Sequence, residues 1–166
     1  AMRFDLAQAD TLRAVRMLFV QQNVNVSNKL FTLKIWSSLI PETIIYQQQN
    51  LKPVYTDSID GMATYVIPPT PVQGTIYIGF QQNLADGLHL GFDRNTKNNS
   101  LMFYNVAGTW MNVAVANGSF MIQAVMGDSL LFLGLNENDE SQTDIFVYPN
   151  PVADFVQCNL GNKSTL

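Results

Sequence analysis

Apolar and polar residues alternate along much of the chain, a pattern that predicts strands. In residues 31–36 the large apolar residues Phe31, Leu33 and Ile35 are separated by single intervening positions. A period of two residues places one face of a strand against a core. Residues 75–80 combine β-branched and aromatic side chains, which favour the pleated backbone of a sheet. We therefore predict strands over both segments.

The N-terminal apolar segment, residues 11–20, fits two interpretations. Leu12, Val15 and Phe19 lie at helical spacing, but the segment also alternates as a strand does. We favour a strand that continues into the polar residues beyond it. The alternative is a short helix over residues 6–10.

Proline and glycine mark the ends of the apolar segments. Residues 62–67 run into a stretch with prolines at positions 68, 69 and 71, and proline has no N–H for a sheet ladder. We therefore predict that this strand ends at Ile67. Turn residues such as Asp86-Gly87 and Asn117-Gly118 separate the later segments and favour hairpins. Many short strands with regular turns predict an all-β fold, an antiparallel β-sandwich of the jelly-roll type.

The composition changes after residue 135. Residues 136–142 hold three of the thirteen acidic residues and no apolar residue. This is typical of a solvated linker, although an exposed acidic loop within one domain would have the same composition. We predict a β-sandwich module over residues 3–135, an acidic polar linker over 136–143 and a partial β tail over 144–166.

Charge and composition exclude several classes of protein. The net charge of −4 argues against nucleic-acid binding, which needs a basic surface to neutralise phosphates. One cysteine, Cys158, excludes an internal disulfide, and together with one histidine it provides too few ligands for structural zinc. No apolar stretch approaches the ~20 residues of a membrane-spanning helix. We predict no cofactor, no metal and no membrane span.

The tail carries a recognisable motif. An apolar-aromatic strand is followed by Tyr148, Pro149, Asn150 and Pro151, and then by a second alternating strand. Behind its polar linker, this segment resembles the start of the type A C-terminal sorting domain of the type IX secretion system of Bacteroidetes. The family's later strands, its glycine-turn segment and its basic end are absent. An ordinary turn between two strands is the alternative interpretation.

The resemblance implies a location and a partner. The protein would pass through the periplasm and be secreted or held at the outer cell surface, with the type IX machinery engaging its tail. We expect the signal peptide of such a precursor to precede Ala1. The 3–135 body resembles the jelly-roll modules that often precede these sorting domains, in residues 75–82, 90–95, 102–105 and 108–110. Those modules share no single activity, so this resemblance implies architecture and not chemistry.

Candidate catalytic residues are few. His89 lies between Leu88 and Leu90, so alternation places it on the rim of a strand, and no Ser, Asp or Cys partner is identifiable. Asp57 with Asp60, or Asp86 with Asp93, could form the carboxylate pair that glycoside hydrolysis needs. Turn formation explains Asp60 and Asp86 better, because each precedes a glycine. A calcium site at Asp93, Asn95 and Asn99 has one charged ligand, which is few for this ion. We predict no catalytic residue.

Binding is better supported than catalysis. The chain holds sixteen Asn and twelve Gln, with six Tyr and two Trp. Planar amides and aromatic rings are suited to sugar hydroxyls and ring faces. We place Trp110 in a loop beside Gly108 as a stacking platform, add Tyr104, Asp93 and His89 as further ligand-binding candidates, and assign Trp36 to the core.

The leading hypothesis is a non-catalytic module that binds surface or extracellular polysaccharide, or that spaces the sorting signal from upstream domains. Two alternatives remain. One is a part of a secreted hydrolase, a glycoside hydrolase or a peptidase. The other is an adhesion or self-association module.

Overall fold

The computed structural model describes residues 1–21, 26–56, 61–82, 87–113, 117–127, 145–148 and 157–160. Strands make up 62% of the structure, and the described residues contain no α-helix, so the all-β prediction is confirmed. The strands are β1 (Met2–Asp5), β2 (Asp10–Met17), β3 (Phe19–Val20), β4 (Phe31–Leu39), β5 (Glu42–Leu51), β6 (Ala63–Val72), β7 (Thr75–Gln81), β8 (His89–Leu90), β9 (Phe92–Asp93), β10 (Phe103–Val106), β11 (Thr109–Asn112), β12 (Ser119–Phe120), β13 (Ile122–Met126), β14 (Ile145–Tyr148) and β15 (Gln157–Leu160).

The chain divides into two compact units, Ala1–Leu130 and Leu131–Leu166. In the first unit, a larger sheet has the strand order β1-β7-β4-β5 and a smaller sheet the order β13-β2-β6. All their pairings are antiparallel. The short pairs β3–β8, β9–β12 and β10–β11 complete the described part of this unit.

One hydrophobic core is shared by the two sheets. The larger sheet contributes Leu33 and Ile35 from β4, and the smaller sheet contributes Val15 and Met17 from β2; all four are fully buried. Each such side chain stabilises the fold by about 1.5–3 kcal/mol on burial. The alternating pattern of β4 thus gives the sheet one face toward this core, and the opposite face, called the outer face below, is free for other contacts.

The strand interpretation of residues 11–20 is confirmed, with an interruption at Leu18. Two other apolar segments are interrupted in the same way, at Gly91 and at Met121. The three interrupting residues form backbone hydrogen bonds with one another at 2.8–3.1 Å. The Leu18 N–H donates to the Met121 carbonyl, the Gly91 N–H donates to the Leu18 carbonyl, and the Met121 N–H donates to the Gly91 carbonyl. A side chain at Gly91 would meet Leu18 Cδ2 at 2.6 Å. These contacts fix where β8 and β12 lie.

The predicted strand end at Ile67 is wrong, because β6 continues through the prolines to Val72. Pairing with β2 moves from Val66 opposite Ala14 to Thr70 opposite Leu12. Pro68 and Pro69 therefore fall in an irregularity where the ladder needs no donor. Since β6 is also an edge strand of its sheet, a proline there costs no hydrogen bond on its free side.

The second unit is described by its two strands alone. β14 pairs antiparallel with β15, with Ile145 opposite Leu160 and Tyr148 opposite Gln157. Pro149, Asn150 and Pro151 of the predicted sorting motif, and the predicted linker over 136–143, lie outside the described residues. In the part of the chain that the structure describes, no helix has the length and apolar character needed to cross a membrane.

Candidate functional site

A cleft of about 730 Å³ opens in the first unit, a volume within the range of small-molecule sites. The outer face of the larger sheet, the β10–β11 hairpin and strands β8 and β12 enclose it. Six of the eighteen lining residues carry large aromatic rings: Trp36, Phe80, Phe103, Tyr104, Trp110 and Phe120. Three of the four ligand-binding residues predicted from the sequence, Trp110, Tyr104 and His89, line this cleft.

The floor of the cleft comes from β4. Lys34 pairs with Gly79 and Trp36 with Tyr77 of β7, with no register shift between them. Because Ile35 between them belongs to the core, Lys34 and Trp36 both project from the outer face. The alternating sequence pattern already places both residues on one face of the strand, yet neither was predicted as a site residue.

Trp36 is 2% exposed, so the prediction of a buried residue is confirmed. It lies within β4, however, and does not join the core cluster between the sheets. Its indole Nε1 donates a 2.7 Å hydrogen bond to Oε1 of Glu42 at the start of β5. A carboxylate acceptor makes this a strong hydrogen bond, and it fixes the orientation of the ring.

Trp110 does not stand in a loop, as the sequence analysis expected. It lies in β11, and the two-residue turn before it has positive φ at Ala107 (63°) and Gly108 (87°). Such a turn twists in the same sense as the strands it joins, so residues 103–112 form a regular hairpin. The Trp110 ring is half-buried and meets the Trp36 ring edge to face, with centroids 5.3 Å apart. Its Nε1 is enclosed and has no acceptor among the described residues.

The hairpin is attached to the N-terminal strand. The Phe103 N–H donates to the Ala1 carbonyl at 2.8 Å, and the Ala1 amino group donates to the Phe103 carbonyl at 2.7 Å. Burial lowers the pKa of this amino group from 8.0 to about 5. Gly79 provides room for Ala1, since a side chain at Gly79 would come within 2.6 Å of the Ala1 Cα. Phe103 also packs edge to face against Tyr77 at 5.4 Å.

Tyr104 and His89 lie at the opening. Tyr104 is 38% exposed and its hydroxyl contacts the Met111 sulfur at 3.9 Å. His89 is exposed while its neighbour Leu88 is buried, as the alternation predicted. Both side chains are placed to contact a ligand that enters the cleft.

Asp93 is the one ligand-binding candidate that the structure does not bring to the cleft. Its carboxylate accepts hydrogen bonds from Thr96 Oγ1 at 2.6 Å and from the Asn95 N–H at 2.8 Å. These bonds lower the pKa of Asp93 and close a local turn. The described residues contain no cluster of three or more His, Cys, Asp or Glu that could hold a metal ion. Asp57, Asp60 and Asp86 lie outside the described residues.

Glu42 is the one carboxylate residue among the described residues that line the cleft, and Lys34 is the one lysine or arginine. Side-chain amides of Gln81, Gln82 and Asn105 add donors and acceptors. The arrangement is a set of aromatic walls with a small number of polar groups, which can hold a ligand with both apolar faces and hydroxyls. Comparison with protein-family models, with curated proteins and with solved structures found no match to this chain.

Proposed function

We propose that the unit Ala1–Leu130 is a non-catalytic carbohydrate-binding module whose site is the aromatic cleft. The observation that carries the proposal is the half-buried Trp110, fixed against Trp36 at 5.3 Å beside the exposed Tyr104. Aromatic rings held in this way pack against the apolar faces of sugar rings. The amides of Asn105 and Gln82 at the same cleft supply hydrogen bonds to hydroxyl groups.

The Trp110 indole adds a second argument. Its enclosed N–H has no acceptor, and an unsatisfied buried donor costs about 1–3 kcal/mol. Unsatisfied donors of this kind are rare in folded proteins and call for an explanation. A sugar hydroxyl brought within reach of this N–H would supply an acceptor that the described residues do not provide.

The number of carboxylates at the cleft favours binding over hydrolysis. Glycoside hydrolysis uses two carboxyl groups about 5–10 Å apart, and Glu42 is the one carboxylate among the described lining residues. That carboxylate is also engaged by the Trp36 indole. A secreted hydrolase would require a second acid at this cleft, and measurable release of reducing ends from a bound polysaccharide would favour it.

Export by the type IX secretion system remains our proposal for the tail, and with it a secreted or cell-surface location. Its support is the sequence Tyr148, Pro149, Asn150 and Pro151, which starts with the last residue of β14. Replacement of both prolines by alanine should retain the protein in the periplasm of a Bacteroidetes host, as followed by cell fractionation. Unchanged delivery to the surface would contradict this part of the proposal.

A glycan-array screen followed by calorimetry tests the binding function. For a polysaccharide that binds the wild type, Trp110→Ala should weaken binding by about 1–3 kcal/mol, the range for an aromatic anchor. Thr109→Ala is the matched control, because Thr109 is exposed on the same strand and does not line the cleft. The absence of binding to any glycan, or equal binding by the Trp110 variant, would contradict the proposal.

A further inference from the structure

We propose that Lys34 makes the cleft selective for anionic sugars, those that carry a carboxylate or a sulfate on the ring. This inference rests on the proposed carbohydrate-binding function and specifies the ligand class. It starts from the position of Lys34 in the floor of the cleft, two residues before Trp36 and on the same outer face of β4. An anionic group on a sugar that contacts Trp110 would therefore meet a cation at the bottom of the site.

The environment of Lys34 leaves its ammonium group available. Its cross-strand neighbours are Gly79, which has no side chain, and Gln47, which is uncharged. Lys34 is half-buried, and it forms no ion pair with any described residue. An anionic group on a ligand would therefore meet a cation that no described carboxylate already pairs.

The other charged groups of the described lining do not replace Lys34. The Glu42 carboxylate accepts the Trp36 indole N–H at 2.7 Å, which disperses part of its charge. Burial lowers the pKa of the Ala1 amino group to about 5, which disfavours its charged form. Lys34 thus provides the positive charge at the centre of the site, with His89 exposed at the opening.

The overall charge does not explain a preference for anionic sugars. The unit Ala1–Leu130 holds eight acidic and eight basic residues, so it has no net charge that would attract a polyanion at long range. Any preference for an anionic sugar over its neutral counterpart must therefore come from a specific cation in the site. Salt should weaken binding of the anionic sugar and leave binding of the neutral one nearly unchanged.

The test uses pairs of glycans that differ in charge alone. An oligogalacturonide is compared with its methyl ester, and a sulfated oligosaccharide with its desulfated form, by calorimetry on the whole chain. We expect the wild type to bind the anionic member of one pair about tenfold or more tightly, as for a charge-assisted hydrogen bond. The pair that shows the preference identifies the anionic group.

Two substitutions of Lys34 test whether this residue causes the preference for anionic sugars. Lys34→Gln should reduce the affinity for the anionic member to that of its neutral counterpart, and Lys34→Arg should keep the preference. Lys52→Gln is the control, because Lys52 is exposed and does not line the cleft. Melting curves establish that each variant is folded before its binding is compared.

The outcomes separate the two proposals. Equal affinity for both members of every pair, or a preference that survives Lys34→Gln, would overturn the role of Lys34 while the carbohydrate-binding function stands. Trp110→Ala should weaken binding of both members alike. Failure of every glycan to bind would overturn both proposals together.

Discussion

The indole rings of Trp36 and Trp110 meet edge to face, with centroids 5.3 Å apart and planes inclined at 80°. Aromatic pairs in this geometry contribute about 0.5–1.5 kcal/mol beyond the area that they bury. The two N–H groups differ, because Trp36 donates to Glu42 while Trp110 has no acceptor. One ring is thus held by a strong hydrogen bond, and the other is held by packing.

This difference predicts that the same substitution costs more stability at Trp36 than at Trp110. Trp36→Phe removes the donor to the Glu42 carboxylate and leaves space in a buried site, so the free energy of unfolding should fall by about 2 kcal/mol or more. Trp110→Phe removes an unsatisfied donor, so its stability should stay within about 1 kcal/mol of the wild type. Urea unfolding of both variants measures the difference, and a larger loss for Trp110→Phe would contradict it.

Two glycines should respond to alanine for different reasons. A methyl group at Gly118 would lie 2.7 Å from the Asp93 carbonyl oxygen and 2.2 Å from the Phe92 ring. We expect Gly118→Ala to cost about 1–3 kcal/mol, because backbone and ring must both move. Gly74 has open space around it but a φ of +63°, and Gly74→Ala should cost about 1–2 kcal/mol through backbone strain.

Melting curves of these two variants separate the causes. A second substitution, Phe92→Leu, should recover stability in the Gly118 variant, since it withdraws the ring edge that the methyl group meets. The same change should give no recovery in the Gly74 variant. Equal effects in both backgrounds would contradict the steric explanation.

The hydrogen bonds of Asp93 predict that the stability of the fold depends on pH in the acid range. Hydrogen bonds from Thr96 and Asn95 lower its pKa below the ordinary 3.8, so the folded protein keeps this carboxylate ionised at pH values where the unfolded chain is protonated. Its contribution to stability is therefore complete above pH 3.8 and is lost as the pH falls through the folded pKa. Asp93→Asn should show a shallower loss of stability in acid, measured by urea unfolding at a series of pH values.

The same variant tests the extent of the binding site. Since Asp93 does not line the cleft, Asp93→Asn should bind glycans as the wild type does at neutral pH. Weaker binding by a folded Asp93 variant would place the site elsewhere.

The first unit should fold by itself. The described residues of its core cluster all lie between Met2 and Ile122, so a chain ending at Leu130 retains every one of them. We expect limited proteolysis within residues 136–142 to leave a fragment that melts cooperatively, because few core contacts are lost. If calorimetry shows that the cooperative transition is lost after the cut, residues beyond 130 belong to the same folding unit.

The local patterns that predicted the fold were those with strict alternation. In β4 the spacing of Leu33 and Ile35 predicted the core face correctly, because a strand buried on one face has no other way to arrange them. The prolines at 68 and 69 misled the analysis, since their effect depends on whether the strand lies at an edge of a sheet. Strand order is set by pairing between distant segments, and no local pattern contains it.

The site could be predicted only in part, because it also depends on contacts between distant segments of the chain. Residue type suggested Trp110, Tyr104 and His89, and these three line the cleft. The contact of Trp110 with Trp36 joins residues 74 positions apart (110 minus 36), so the half-buried state of Trp110 could not be derived locally. Asp93 was chosen by type alone, and its neighbours Asn95 and Thr96 occupy its carboxylate.

The β10–β11 hairpin forms one wall of the cleft, while the sheets behind it hold the core. Two paired strands contribute little to folding by themselves, and the exposed Val106 at the turn (68%) adds little buried area. This wall of the cleft therefore lies outside the two larger sheets, whereas Lys34 and Trp36 belong to a strand that also contributes to the core. Substitutions in residues 104–111 can alter what the protein binds while the sandwich is preserved, so this scaffold is suited to acquiring new specificities through one short segment.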